Sequence, residues 1–593
     1  MATIPVTDNS KTFQIQRFLG INESSDGDTQ IQYGEASEMT NWQVTPQYHL
    51  RVRPGVKTLR KFTGPVRGLW SGWVAGSERM LCAADGGIWD LTDGAERRIG
   101  DEWDDATTFF GFNDKVYILN GKEYLVWDGV GYVDVVEGYV PCVVTAAAPS
   151  GGGTALQNIN RLTGKRRIRF SADGTSTVFH LPEKNLLSVD WVMVGTARTT
   201  AFTADKALGT VTFTAAPAAG SSNVEIQYAV YNTLRAQVEA MRWWETFNGA
   251  TDTRVFLYGD GSAKALYCGV TEQGDASAEY FPDLYEISVG DANTPITAMI
   301  KHYDRLLTFK PDGAFATEYS SVTLEDGTVT AGFYTVPLNR EVGNEAPGQV
   351  RLVYNYPRSF YANGVYDWRM TSSTVRDERN AKLVSERVQE TMREADQSKI
   401  YAFDDDSNQE YYIFLNDSDG TALVHRYIGD VWYKYTNLHV LCACRFGTDV
   451  FLGMADGKVA SLSFTVRNDD GVPISALWAS GNMDFKADYQ RKHSSTVWVS
   501  LKPASNAAVT VTARSDRKSE YAEKDITSNI ATFANASFAN WSFVTNRNPK
   551  MTRIKLKVKK FVYYKLIIKS ESASSDSTVL GVDIRVRYTG YVK

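Results

Sequence analysis

The sequence predicts a mainly β protein, a β-propeller with an inserted small β domain and a C-terminal β-sandwich-like domain. The chain has 593 residues, too many for one hydrophobic core, which favours several domains or one large repeat architecture. Aromatic residues make up 12% of the chain and there are 46 glycines. This combination suits half-buried pleated strands joined by tight turns. Short apolar strands paired through glycine turns also recur along the chain.

The recurring unit is a predicted β-hairpin. Two apolar strands flank an Asp-Gly or Asn-Gly pair in each copy, and these residues tolerate the positive φ of a tight turn. The copies span residues 79–91, 115–128, 255–268, 305–318, 359–368 and 450–460. A single hairpin cannot bury its apolar faces, whereas radial stacking of such sheets into a propeller can. The spacing is irregular, so the sequence does not predict the number of blades.

The predicted domains follow in chain order. We expect an N-terminal segment that closes onto the propeller, the first blades, an inserted β domain, the remaining blades with two short helices, and a C-terminal β domain. Their limits are residues 1–63, 64–141, 142–231, 232–465 and 466–593. The Gly-rich stretch 149–153 is a flexible linker near the start of the insertion. Apolar spacing predicts the two helices at 232–249, with Asn232 as N-cap, and at 380–396.

Charge, cysteine content and hydropathy exclude several classes of protein. The net charge of −6 gives the chain no electrostatic reason to wrap or read DNA. Five cysteines are too few for a disulfide scaffold. Cys442 and Cys444 are expected to be small buried residues of a protein made in a reducing compartment. The N-terminus lacks the pattern of a secretory signal, and no apolar run approaches the length of a membrane helix.

The sequence contains no convincing catalytic, cofactor or metal site, so we predict that the protein is not an enzyme. Alternating oxygen ligands at Asp404, Asp406, Asn408 and Glu410 would suit Ca²⁺, but a solvated hairpin tip is the favoured interpretation. Residues 171–177 are similar to the Asp-box turn of sialidases with altered spacing. The six histidines show no metal-binding spacing, and no nucleophile elbow or phosphate-binding loop is present.

Two basic runs are candidate interaction sites. The first contains Lys165, Arg166, Arg167 and Arg169. In the second, a strand would place Arg553, Lys555, Lys557 and Lys559 on one face and apolar residues on the other. Such a row would bind phosphates or an acidic neighbouring subunit, or it would prevent unwanted strand pairing. Because the chain is acidic overall, we favour edge protection or a subunit contact.

Short motifs occur in a characteristic order near the N-terminus. They are Phe-Leu-Gly-Ile-Asn at 18–22, Gly-Glu-Ala-Ser-Glu-Met-Thr-Asn-Trp at 34–42 and Leu-Arg-Val-Arg-Pro-Gly at 50–55. Further matches lie at 279–282, 295–298, 304–307 and 384–388. This order, from about residue 15 to 465, resembles the β-propeller tail nozzle or hub proteins of short-tailed bacteriophages. Those proteins are also called tail tubular or packaged-DNA stabilisation proteins. The inserted segment resembles the small β domain common in phage tail and fibre proteins.

The resemblance implies a structural virion protein, assembled in the host cytoplasm and located in the tail. Six copies would form a homohexameric ring below the portal and adaptor, through which double-stranded DNA passes without sequence-specific binding. Tail fibres or a needle would dock on the ring. No catalytic residues come with the family, and the region after about residue 466 has no match. We expect carboxylates in the lumen and the basic strand against another subunit.

One alternative from a different functional class remains open. A propeller that binds or degrades carbohydrate at the host surface would use exposed aromatic side chains to stack on sugar rings. Trp70 and Trp73 are the candidates for this role. Aromatic residues at such positions more often belong to the core of a blade.

Overall fold

The computed structural model is mainly β, which confirms the predicted class at that level. It describes residues 9–23, 31–94, 96–248, 253–323, 329–369, 380–504, 506–528, 548–572 and 576–592. The described chain falls into two compact units. Unit I lies within residues 1–66, 351–369 and 381–593, and unit II lies mainly within residues 67–350.

Unit II contains four antiparallel sheets of four strands, each formed by consecutive strands of the chain. Sheet 1 comprises Val66–Val74, Ser77–Ala84, Gly87–Asp90 and Arg97–Asp101, and sheet 2 comprises Thr108–Phe112, Lys115–Leu119, Tyr124–Trp127 and Asp134–Val135. Sheet 3 comprises Trp243–Asn248, Thr253–Tyr258, Lys264–Tyr267 and Glu286–Ser288. Sheet 4 comprises Ala298–His302, Arg305–Lys310, Gly313–Thr323 and Val329–Asn339. The first strands of sheets 3 and 4 lie side by side. Buried side chains of both sheets, including Phe256 and Met299, share one core.

A further group of strands is inserted between sheets 2 and 3. Its strands are Cys142–Ala147, Thr154–Ala155, Lys165–Ala172, Val178–His180, Ser188–Val194, Ala197–Thr199, Phe202–Asp205, Thr210–Phe213 and Gly220–Ala229. They form one six-stranded and one three-stranded sheet. Phe170, Phe179 and Phe213 stack edge-on in a core of their own between these sheets.

Unit I contains three more sheets of the same design. Their strands are, in sheet 5, Arg351–Val353, Tyr356–Tyr361, Gly364–Trp368 and Ala381–Leu383; in sheet 6, Tyr401–Asp405, Glu410–Phe414, Ala422–Arg426 and Val431–Tyr435; and in sheet 7, Val440–Phe446, Asp449–Met454 and Lys458–Ser463. Sheet 7 receives its fourth strand, Gly55–Lys61, from the N-terminal region. Two short strands, Asn468–Asp469 and Val472–Pro473, extend the same sheet beyond it.

The two ends of the described chain meet in two larger sheets of unit I. Sheet 8 comprises Ser10–Ile15, Trp42–Val44, Leu50–Val52, Gln490–Leu501, Lys550–Ile554, Val558–Phe561 and Thr578–Tyr591. Sheet 9 comprises Gly20–Ile21, Glu35–Thr40, Ala476–Ser480, Ala508–Ser515, Lys524–Thr527 and Tyr564–Ser570. The ring of Phe485 contacts Phe561 of sheet 8 and Tyr564 of sheet 9. Most of the N-terminal segment is therefore built into sheets 8 and 9, and only Gly55–Lys61 joins sheet 7.

All six predicted hairpins are present, and the turn chemistry explains them. In sheet 1 the turn residues Asp85 and Gly86 have φ values of 54° and 65°. In sheet 5 the turn is Ala362-Asn363, with φ values of 45° and 59°, one residue before the predicted Asn-Gly pair, because Gly364 already belongs to the second strand. Aspartate, asparagine and glycine adopt these positive φ values at the lowest steric cost, which is why the sequence pattern located the turns.

The helix predictions were largely wrong. Residues 232–249 contain only one short helix, Arg235–Glu239, and Asn232 is not its N-cap. Trp243–Asn248 is a strand paired with Thr253–Tyr258, because its aromatic residues gain more from sheet burial than from helical spacing. The predicted end at residue 249 lies outside the described residues. In 380–396 the structure has strand Ala381–Leu383, the 3₁₀ turn Glu386–Val388 and the helix Gln389–Glu394. A second 3₁₀ turn, Gln397–Lys399, follows directly after this range.

A buried arginine holds the N-terminal segment of unit I in place. The guanidinium of Arg53 donates to both carboxylate oxygens of Asp469, at 3.0 and 2.6 Å. It also donates to the Asn41 Oδ1 and to the backbone carbonyls of Pro54 and Thr436. All five N–H groups of Arg53 are thus used, and its side chain is 1% exposed. This network joins the N-terminal segment to the end of sheet 6 and to the extension of sheet 7.

Position 55 must be glycine because the backbone there packs directly against the backbone of residues 466–468. A Cβ atom at this position would collide with the carbonyl oxygens of Asn468 and Val466. The backbone N–H of Gly55 donates to the Val466 carbonyl at 3.1 Å. The Arg-Pro-Gly motif therefore combines a buried cation with a residue small enough to let two chain segments touch.

We predict that Arg53→Met destabilises unit I by about 3–5 kcal/mol, because it leaves the Asp469 carboxylate buried without its cation. Arg514→Met is the matched control, since the ion pair of Arg514 with Glu38, at 3.8 Å, is exposed and its loss should cost under about 1 kcal/mol. Urea denaturation and hydrogen exchange of residues 55–61 measure the difference. Equal midpoints and equal protection in the two variants would contradict the structural role of Arg53.

Candidate functional site

The second basic run lies on the exposed side of sheet 8. The predicted continuous strand is wrong, because Lys550–Ile554 and Val558–Phe561 are separated by three residues without strand pairing. The predicted alternation is nevertheless present. Arg553, Lys555, Lys557 and Lys559 are exposed, whereas Ile554, Leu556 and Val558 are buried. The burial of the apolar side directs all four cations to solvent.

Strand register adds two arginines that the sequence analysis missed. Arg585 and Arg587 are exposed on the long strand Thr578–Tyr591, next to Gln490–Leu501 at the centre of sheet 8. Trp498 of that central strand lies opposite Arg553 on one side and Asp583 on the other. We call the exposed side of sheet 8 the basic face; its cations are Arg553, Lys555, Lys557, Lys559, Lys560, Arg585 and Arg587. The alternation Val-Asp-Ile-Arg-Val-Arg at 582–587 was the available sequence signal.

The basic face has few internal counter-charges. Asp583 is the one carboxylate in the seven strands of sheet 8. Within the described parts of the chain, Arg553, Lys555, Lys557 and Lys559 form no ion pair. His493 lies opposite Arg587, and its pKa is lowered by burial and by the charges of Lys559, Arg587 and Lys560. This face therefore presents concentrated positive charge to solvent.

The first basic run has a different environment, in which its arginines are neutralised within unit II. Arg166 pairs with Glu183, and Arg167 pairs with Glu225 at 2.9 Å. Arg167 and Arg169 both bind Glu272, which follows sheet 3 strand Lys264–Tyr267. These arginines stabilise the insertion and its contact with the preceding and following chain, so they are structural residues.

The four oxygen ligands considered for Ca²⁺ do not converge. They lie around the turn between Tyr401–Asp405 and Glu410–Phe414, as the hairpin-tip interpretation expected. Glu410 accepts hydrogen bonds from the hydroxyls of Tyr412 and Tyr433, away from the tip. Burial raises the pKa of Asp404 to about 7, and its Oδ1 has no hydrogen-bond partner. No group of His, Cys, Asp or Glu side chains in the described residues has the arrangement of a metal site.

Other sequence candidates are also accounted for. All five cysteines are buried, as expected for Cys442 and Cys444. Asp173 caps the Asp-box-like turn by accepting from the backbone N–H groups of Thr175 and Ser176. Trp73 is 70% exposed, whereas Trp70 packs against the core of sheets 1 and 2. None of the helices in the described part of the chain is long and apolar enough to cross a membrane.

Comparison with known proteins adds little. No known protein family matches the chain, and no curated protein matches it. Among solved structures it is similar to the computationally designed Ika8 protein, with 12% identity over 69% of this chain and 100% of that one, at a TM-score of 0.32. It is also similar to the AfRom2 CNH domain, with 9% identity over 69% of this chain and 99% of that one, at a TM-score of 0.34. A chain of a mitotic checkpoint complex is similar with 8% identity over 71% of this chain and 95% of that one, at a TM-score of 0.31. At TM-scores this low, the structural similarity supports no conclusion about this chain.

We predict that Lys559→Gln raises the pKa of His493 toward its ordinary value of about 6.5, because it removes one of the charges that disfavour the imidazolium. In the wild type the lowered pKa means that the folded state binds the proton less well than the unfolded state. The stability contribution of His493 is therefore present above about pH 6.5 and is lost as the pH falls. Histidine NMR titration measures the pKa, and Lys524→Gln in sheet 9 is the control. A His493 pKa that is unchanged in Lys559→Gln would contradict the charge clustering.

Proposed function

We propose that the protein is a structural subunit of the distal tail of a short-tailed bacteriophage. In this proposal, six copies form a nozzle or hub ring in the virion tail, below the portal and adaptor. The ring retains genomic double-stranded DNA, later lets it pass, and docks fibres or a needle. No catalytic or cofactor role is part of the proposal.

The observation that carries the proposal is the convergence of the ordered N-terminal motifs. Asn41 of the second motif and Arg53 of the third share the buried network with Asp469. Asn22 of the first motif donates to the Glu35 carboxylate of the second at 2.9 Å. Residues of three separate short motifs thus act together to hold the N-terminal segment in place. A pattern with this structural role supports the family resemblance more strongly than its individual short matches do.

We further propose that sheets 1–7 are propeller blades. Sheets 1–6 are four-stranded antiparallel meanders of consecutive strands, and sheet 7 has four antiparallel strands that two short strands extend. Strand Gly55–Lys61 completes the last sheet immediately before the chain enters the first. This exchange of a terminal strand is a way to close a ring of blades and to protect its edges. Residues 142–231 are then the inserted domain, and sheets 8 and 9 are the sandwich-like domain.

The basic face is proposed as the contact with a neighbouring subunit. In a ring of identical chains each interface joins two different surfaces, so a basic face requires an acidic one on the next copy. The chain carries −6 overall, and the charge outside the basic face is therefore more negative still. Six copies would carry about −36, which suits a lumen that repels phosphate and lets DNA slide.

The test is the native mass of the chain assembled with the portal and adaptor proteins of its own phage. We expect addition of six copies. The double variant Lys557→Glu/Lys559→Glu should weaken ring formation by at least tenfold, because like charges would face each other across the interface. The control Lys518→Glu/Lys524→Glu has the same net charge and changes exposed residues elsewhere. Assembly of a number other than six would contradict the ring, and equal assembly of both variants would contradict the contact.

A carbohydrate-binding role at the host surface is the second candidate, and the exposure of Trp73 favours it. Its indole is 70% exposed, so one ring face is accessible for stacking on a sugar. Incubation with purified host polysaccharide distinguishes the candidates. Retention or sugar release that is lost in Trp73→Ala would support this role, whereas no retention would exclude it for that polysaccharide.

A further inference from the structure

Unit I contains a cavity of about 790 Å³ that the proposed function does not use. Its wall is formed by the hairpin of Trp42–Val44 and Leu50–Val52, by parts of sheets 6 and 7, and by residues near 502–504 and 576–578. This volume is in the range of small-molecule sites. The side chains that matter for its chemistry are Gln43, His49, Arg51, Asp449 and Lys502.

Arg51 is the most unusual group in the wall. Its guanidinium carbon lies 3.6 Å from the centre of the Phe464 ring, so the ring fixes the plane of the guanidinium. Burial is the largest influence on Arg51 and lowers its pKa. In the part of the chain that the structure describes, the guanidinium donates no hydrogen bond. Arg53, two residues further on, uses all five of its N–H groups. Arg51 is thus held in place by stacking with its donors unused.

Further donors lie beside Arg51. Gln43 is its direct cross-strand neighbour. The Gln43 Oε1 accepts from the Tyr435 hydroxyl, and its amide N–H₂ makes no hydrogen bond to any described residue. Lys502 is bound through its backbone N–H to Thr578, the residue paired with Arg51. The Lys502 side chain forms no ion pair within the described residues, and its charge together with burial lowers the pKa of His49.

Three of the four carboxylates of the wall have other partners. Asp576 is paired with Arg467 at 3.0 Å, and its charge also acts on Arg51, where it raises the pKa against the larger effect of burial. Asp405 is paired with Arg445, and Glu410 is hydrogen-bonded by two tyrosines with its pKa raised by burial. Asp449 is exposed and has no ion pair among the described residues, so it is available as an acceptor. Among the described residues, the wall therefore has two cationic side chains, Arg51 and Lys502, and one carboxylate, Asp449, that form no hydrogen bond or ion pair through their charged groups.

We propose that this cavity binds a small hydroxylated anion whose carboxylate or phosphate group is held by Arg51, Lys502 and the amide of Gln43. A planar, pre-oriented guanidinium suits two-pronged binding of such a group. The Asp449 carboxylate accepts hydrogen bonds from hydroxyl groups on the body of the ligand. An acidic sugar and a sugar phosphate share this chemistry. The inference goes beyond the proposed tail function and does not depend on it.

Isothermal titration calorimetry on the full chain tests the site with glucuronate, glucose 6-phosphate and glucose as probes. We expect one saturable site for at least one of the two anions and at least tenfold weaker binding of glucose. Binding of glucuronate alone would identify a carboxylate ligand, and binding of glucose 6-phosphate alone a phosphate ligand. Absence of binding by both anions would overturn the proposal.

Arg51→Met tests whether the guanidinium holds the anion. The methionine keeps an apolar contact with Phe464, and no hydrogen bond to a described residue is lost, so the variant should fold normally by thermal denaturation. It should bind the anion at least tenfold more weakly. Lys502→Met is a second variant that should also weaken binding. It changes an exposed lysine and leaves the stacking of Arg51 on Phe464 in place. Arg517→Met is the control, because Arg517 is exposed and lies outside the cavity wall. Equal affinity of the Arg51 and Arg517 variants would overturn the assignment.

Discussion

The buried pair of Arg53 and Asp469 is the interaction on which the arrangement of unit I depends. A buried ion pair adds little net stability compared with an apolar core. Removing one partner is nevertheless strongly destabilising, because the other charge is then buried without compensation. Here the pair is surrounded by carbonyl and amide groups that satisfy every N–H of the guanidinium. The strand Gly55–Lys61 follows directly and completes sheet 7. The pair thus specifies which chain segments meet, and sheets 8 and 9 are built on the same N-terminal segment.

Local turn chemistry made much of the fold predictable. Asp-Gly and Asn-Gly pairs located six hairpins, because few residue types adopt positive φ readily. Pairing between distant segments was not predictable in the same way. Nothing in the N-terminal 50 residues indicates that they pair with strands near residues 480 and 585. Helical spacing at 232–249 was misleading, because Trp243–Asn248 packs its apolar side chains as a strand of sheet 3.

The candidate sites show the same division. The exposed row of Arg553, Lys555, Lys557 and Lys559 could be predicted, because alternation within one segment determines which side faces solvent. Arg585 and Arg587 complete the basic face through strand register, which a single sequence does not reveal. The run at 165–169 looked equally basic, but its three arginines are paired with Glu183, Glu225 and Glu272. Charge density in a sequence therefore indicates an interaction surface only when the partners of the charges are known.

An electron cryo-microscopy reconstruction of the chain within the assembled phage tail is the most direct test of the central claim. We expect a six-fold ring in which the basic face lies at the boundary between subunits, close to carboxylates of the neighbouring copy. We also expect a lumen in which acidic side chains predominate. A ring whose lumen is lined by Lys555, Lys557 and Lys559 would contradict both the subunit contact and the repulsive conduit.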